Sequence, residues 1–148
     1  MTTDPASFQK KLTARLLAWS ALSIVAGALL QLAGAPFLRA FGQQALGLGA
    51  IDAIIALFGR RGLNGKLARG YSMEEQSKDT RMLRRVLWVN TGLDVLYIAG
   101  GLKLMRTRGR TDDRSKGHGA GIVVQGAFLF IFDLIHAVLV GRLLRREA

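Results

Sequence analysis

No cysteine occurs among the 148 residues. That excludes disulfide staples, thiolate nucleophiles and thiolate metal ligands, and it leaves the redox compartment open. The glycine-rich stretches lack the spacing of any phosphate-binding loop. Histidine is scarce: only His118 and His136 are present, poor provision for a zinc or iron centre. Acidic residues number 10 against 21 Lys and Arg, for a formal net charge of +11. In a soluble domain that balance would point to nucleic acid. Here the arginines cluster at the ends of apolar runs, where anionic headgroups and membrane topology account for them. Membrane lipid is the expected partner, and no nucleic acid is.

Against that sparse chemistry stands a large apolar content. Half of the chain is hydrophobic and its mean hydropathy is positive. The apolar residues fall in blocks separated by basic blocks, as in a polytopic membrane protein. Four runs of about 20 residues, each able at ~1.5 Å per residue to cross a ~30 Å hydrocarbon layer, predict transmembrane helices. They cover 15–34, 40–59, 85–104 and 120–141. Residues 60–84 read as a Gly- and Arg-rich cytoplasmic connector, and "RTRGRTDDRSKGHG" as a mobile one. The expected fold is all-α, a single transmembrane domain over 1–148 built as a four-helix bundle.

Local signals mark two helix starts. Asp4-Pro5 is an N-cap followed by proline at the first helical position, so helix 1 begins before the membrane. Ser72 with Glu75 three residues on is a capping box, which starts helix 3 near Met73, ahead of its bilayer entrance at Arg85. Lys10, Lys11 and Arg15, an apolar run and Ala33-Gly34-Ala35 also match a secretory signal, but the run is long for one. With four spans, the N-terminus, the 2–3 connector and the C-terminus share one side. That side carries 14 Lys and Arg against 7 on the other, counting Arg142, Arg145 and Arg146 at the end. The bias places both termini in the cytoplasm of a multi-pass protein of the inner (plasma) membrane.

The apolar runs contain a repeat. Gln44 precedes Asp52 by the same interval as Gln125 precedes Asp133, and Arg60 and Arg142 follow at nearly equal distances. Helices 1 and 3 match more weakly, through Arg15 and Arg85, Trp19 and Trp88, Ser20 and Asn90. Two copies of a helical hairpin in parallel orientation are expected, a design that places transporter sites at the repeat interface.

The repeat focuses attention on acids in apolar surroundings. Asp52 lies ~12 Å from the boundary at Arg60, and Asp94 and Asp133 ~13–14 Å from Arg85 and Arg142. Three aspartates from three helices thus fall in one layer near the bilayer midplane. Ser23 of helix 1 is counted at the same level, and His136 lies ~4.5 Å along the axis from Asp133. Each buried acid costs about 2.5–3.5 kcal/mol on insertion scales, so the three are expected to face inward. Asn90 and Asp94 share one helical face; Gln125, Asp133 and His136 line another. Ala45, Gly49 and Ala53 form a small-residue ladder on helix 2, with Asp52 at its edge.

Carboxylates crowded in low dielectric cannot all stay ionised, and His136 is the one cluster residue that ordinarily titrates near neutral pH. An Asp52/Asp94/Asp133/His136 centre, with Asn90, Gln125, Gln44 and Ser23 around it, therefore suits binding or translocation of a proton, a small cation or a polar solute. Two alternatives stand beside it. Asp133-x-x-His136 with Asp52 and Asp94 supplies candidate ligands for a divalent metal, as in an intramembrane metal-dependent enzyme. The same residues can instead form a structural or lipid-organising hydrogen-bond network, although such bonds return only ~0.6 kcal/mol each on average. Four helices enclose little volume, so a transport path calls for a homodimer. Trp19 and Trp88 read as interface anchors, Tyr97 as packing, and His118 as a loop residue. Phe128, Phe130 and Phe132 point in several directions and form no cofactor box.

"NTGLDVLYIAGG" together with "QGAFLFIFDLIHA" resembles an uncharacterised family of small bacterial four-helix membrane proteins. The resemblance covers most of the membrane core and implies topology and bacterial origin, with no activity attached. The chain is similar to small multidrug transporters in size and helix number. Those place one acid in their first helix, and this sequence has none there.

Overall fold

A computed structural model describes residues 4–147 and side chains as far as 145. Arg146, one of the cations in the orientation count, lies outside the described side chains. Four long helices carry the fold: α1 Pro5–Leu30, α2 Pro36–Arg69, α3 Met73–Arg106 and α4 Asp113–Glu147. A single 3-10 turn, Arg108–Arg110, stands between α3 and α4, and no strand occurs among the described residues.

The caps act where the sequence placed them. The Asp4 carboxylate accepts from the Ser7 N–H at 3.2 Å, ahead of Pro5. At α3, Ser72 Oγ accepts from the Glu75 N–H and the Glu75 carboxylate accepts from the Ser72 N–H, which closes the capping box. Pro36 at the first position of α2 fixes the start of that helix four residues earlier than the apolar run suggests.

The connectors differ from expectation. In the 60–84 stretch α2 runs on to Arg69, with Gly70 in the left-handed conformation (φ 86°) as its cap, while α3 starts at Met73 as its capping box marks. Lys66 and the Tyr71 hydroxyl both donate to the Asp79 carboxylate and tie the turn together. The 107–119 segment holds a 3-10 turn and the first turns of α4. The Asp112 carboxylate accepts from the Arg114 and Ser115 N–H groups and starts α4, so His118 sits on a helix rather than in a loop.

The chain folds as two hairpins, α1 along α2 and α3 along α4, joined by close α2–α4 packing. Glycines set the contacts. A Cβ on Gly27 of α1 would meet the Gly42 carbonyl oxygen of α2 at 2.6 Å, and one on Gly101 of α3 would meet the Gly119 oxygen of α4 at 2.8 Å. Gly117 and Gly121 of α4 bring that helix against Phe37, Ala40 and Gln44 of α2. The apolar core gathers at the other end, where Leu12 and Leu16 meet Ala56, Leu87, Phe132, Ala137 and Val140.

Three helices, α1, α2 and α4, are long and apolar enough to cross a membrane. α3 is as long as α2 but falls short in apolarity, because Asn90, Thr91 and Asp94 occupy its middle. Large side chains such as Leu29 (63%), Phe58 (72%) and Leu96 (68%) stand exposed on the outside. That inverted surface suits a lipid environment.

Candidate functional site

Each acid is set on its helix by small or polar residues of the same stripe. On α2 the buried positions Ala45, Gly49, Asp52 and Ala56 follow a helical face. On α3 the stripe is Leu87, Thr91, Asp94 and Gly101. On α4, Gly126, Asp133, Ala137 and Val140 are buried together. The small residues let backbones approach, and the carboxylates are carried inward with them.

Asp52, Asp94 and Asp133 are all inside, with exposures of 7%, 8% and 7%. They are close enough that Asp94 acts electrostatically on both Asp52 and Asp133. Asn90 lies beside Asp133. Asp52 Oδ2 and Asp94 Oδ2 are buried without any hydrogen-bond partner. Among the described residues the only ion pair is Lys66–Asp79, far from this layer in sequence. Three acids therefore share the interior with no basic side chain in contact.

The other predicted residues lie elsewhere. His136 turns away from the aspartates. Its Nδ1 lies 2.6 Å from the Phe132 carbonyl oxygen and its Nε2 lies 3.3 Å from the Arg15 guanidinium. Gln125 donates to Ser23 Oγ at 3.2 Å and accepts from Trp19 Nε1 at 3.1 Å. Ser23 lies against Gly49, one turn along α2 from Asp52, while its bonded partner Gln125 is eight residues, ~12 Å, along α4 from Asp133. Gln44 pairs with His118 Nδ1 at 2.9 Å, nearer the start of α4. The polar residues thus form tiers along α4, at His118, Gln125, Asp133 and His136, rather than one cluster.

Two participants were not legible as such. Trp19, read as an interface anchor, hydrogen-bonds Gln125 and stacks on Phe128 with ring centroids 3.6 Å apart. Arg15, read as a boundary charge, is the partner of His136. Trp88 (47% exposed) and Tyr97 (46%) lie on the outer surface. The metal candidates Asp52, Asp94, Asp133 and His136 are not brought together. No three His, Asp or Glu side chains gather closely enough to hold a metal ion among the described residues. His136 is not available to the aspartates, since the Phe132 carbonyl and Arg15 engage both of its ring nitrogens.

A family model matches residues 15–134, and the chain belongs to that family, described as a family of unknown function (DUF6992). The match contains all three aspartates, Asn90, Gln125, Gln44 and Ser23, and stops short of His136. No curated protein and no solved structure matches the chain.

Proposed function

We propose that this member of the family spans the membrane four times, both termini cytoplasmic, and takes up a proton on the Asp52, Asp94 and Asp133 carboxylates, or a small monovalent cation at one or two of them. The observation that carries the reading is the pair of buried, unpartnered oxygens, Asp52 Oδ2 and Asp94 Oδ2. A buried carboxylate without a counter-charge is strongly unfavourable and is relieved by protonation or by a bound cation. No Lys, Arg or His among the described residues is within ion-pair distance of these acids, so relief must come from outside the chain. The tiers at His118, Gln125 and His136 flank the carboxylates on both sides, and water between them would connect the layer to either surface.

The hairpin repeat forms part of the reading. Ala40, Ala45, Asp52 and Ala56 of α2 are buried. Gly121, Gly126, Asp133 and Ala137, their counterparts in the Gln44–Gln125 register, are buried on α4. Ser20 Oγ donates to the Leu16 carbonyl at 2.8 Å, and Thr91 Oγ1 donates to the Leu87 carbonyl at 2.8 Å. Ser23 and Asp94 follow each hydroxyl at the same interval. This register pairs Ser20 with Thr91 rather than with Asn90. A translocation path between the repeats is narrow, and a second copy of the chain would enclose it.

Reconstitution in liposomes that hold a pH-sensitive dye tests the proposal. An imposed pH gradient, with potassium and valinomycin to clamp the potential, should collapse faster with the wild-type protein than with empty liposomes. Asp52→Asn, Asp94→Asn and Asp133→Asn should each reduce the rate at least about tenfold, the loss of one proton-transfer group of the general acid–base kind, while helicity is retained. A sodium gradient run in parallel separates cation from proton. Full flux of both ions in all three variants would end the reading.

A further inference from the structure

A second site lies at the other end of α1, where its first turns meet the last turns of α4 around a cavity of about 300 Å³. Lys11, Arg15 and Arg142 line it, with Phe8 and Leu12 as apolar walls and His136 on its inner side, only 4% exposed. A carbonyl oxygen only accepts, so the contact with Phe132 O assigns the imidazole hydrogen to Nδ1 and leaves Nε2 as an acceptor. The Arg15 guanidinium donates to that nitrogen and is held over the cavity.

No lining residue is acidic, and Lys11, Arg15 and Arg142 have no carboxylate within ion-pair distance among the described residues. Three like charges around one concavity repel each other, and an anion between them relieves that. The cavity lies where the apolar runs of α1 and α4 give way to charge, the depth of phospholipid headgroups. Guanidinium groups match phosphate oxygens in two-pronged hydrogen bonds. Exposed apolar side chains farther along both helices, Leu22 and Val25 on α1 and Ile131, Ile135 and Val138 on α4, offer surface along which acyl chains can run.

We propose that this cavity binds the phosphate headgroup of an anionic phospholipid, with Arg15 and Arg142 as the phosphate ligands. The proposal shares only its bilayer setting with the carboxylate reading, and either can fail without the other.

Trp19, one helical turn from Arg15, reports on it in a Trp88→Phe background. The protein is placed in vesicles of phosphatidylcholine and phosphatidylglycerol, with bromine on the acyl chains of one lipid or the other. Each Lys or Arg near an anionic surface is worth a factor of about five in lipid affinity. Brominated phosphatidylglycerol should therefore quench Trp19 with about fivefold or greater preference over brominated phosphatidylcholine. Arg142→Gln, which leaves the Arg15–His136 contact in place, should lower the preference, and Arg15→Gln with Arg142→Gln should bring it near one. Lys78→Gln with Arg81→Gln, which removes two cations outside the cavity, should leave it intact. Equal quenching by the two lipids overturns the proposal, as does an equal fall in the Lys78/Arg81 control. Displacement by millimolar inorganic phosphate or glycerol 3-phosphate also overturns it, because the site would then take a soluble phosphate.

Discussion

Aspartate serves two opposite ends in this chain, and its neighbours decide which. Asp94 has two other acids beside it and a buried oxygen with no partner. Asp79, in the α2–α3 turn, receives Lys66 and the Tyr71 hydroxyl. Partial burial there opposes ionisation, yet the hydrogen bonds from Lys66 and Tyr71 and the Lys66 charge outweigh it and hold the Asp79 carboxyl below its ordinary value of 3.8. A carboxyl depressed by folding stabilises the fold above the unfolded-state value and loses that contribution as pH falls through the folded-state value. Asp79→Asn should therefore lower the thermal midpoint at neutral pH, and the gap to wild type should close as the pH falls below 3.8. A gap independent of pH would show that the charge is not what holds the turn. The inward facing of Asp52, Asp94 and Asp133 was legible because an acid inside an apolar run is costly on the outer surface. The direction of His136 was not, since a carbonyl one turn back and a guanidinium on another helix decide it.

At the scale of elements, capping chemistry was the most readable signal. Asp4, Ser72 and Glu75 act at the ends they were expected to mark. Glycine misled. Gly62 and Gly65 suggested a connector, but α2 continues through both, because a glycine weakens a helix by only about 1 kcal/mol relative to alanine. An added Cβ at either position meets nothing within 4 Å. Gly62→Ala and Gly65→Ala should each stabilise the protein by about 0.5–1 kcal/mol, the helix-propensity difference. Gly27→Ala should act in the opposite direction, since its Cβ would fall 2.6 Å from the Gly42 oxygen and 2.7 Å from the Leu46 nitrogen. Overpacking of that kind costs about 1–3 kcal/mol. Denaturation midpoints of the three variants in one detergent check both signs.

In the whole molecule α3 is the exceptional helix. It is 34 residues long and packs along α4, yet its centre carries Asn90, Thr91 and Asp94. These polar residues lower its apolarity below that of α1, α2 and α4. Thr91 and Asp94 are buried inside the bundle, while Val86, Val89, Leu93 and Leu96 stand exposed, so the outer side of this stretch of α3 is more apolar than its sequence average. The absence of cysteine makes the fourth crossing easy to test. Lys78→Cys and Arg110→Cys place single thiols at exposed positions on either side of the α3 run. In intact cells, a membrane-impermeant maleimide should label position 110 and spare position 78. Labelling of both or neither from outside would refute the four-span topology with cytoplasmic ends.

The order of residues alone determined that the chain is helical, that three of its helices are long and apolar enough for a bilayer, and that three acids lie within apolar runs. Those properties depend on hydropathy, helical rise and local capping, all of which act within one element. Tertiary structure decided which polar groups meet: Gln125 with Ser23 and Trp19, Gln44 with His118, and His136 with Arg15 instead of Asp133. Partners on different helices depend on axial offset and rotation, and the glycine contacts between backbones set both.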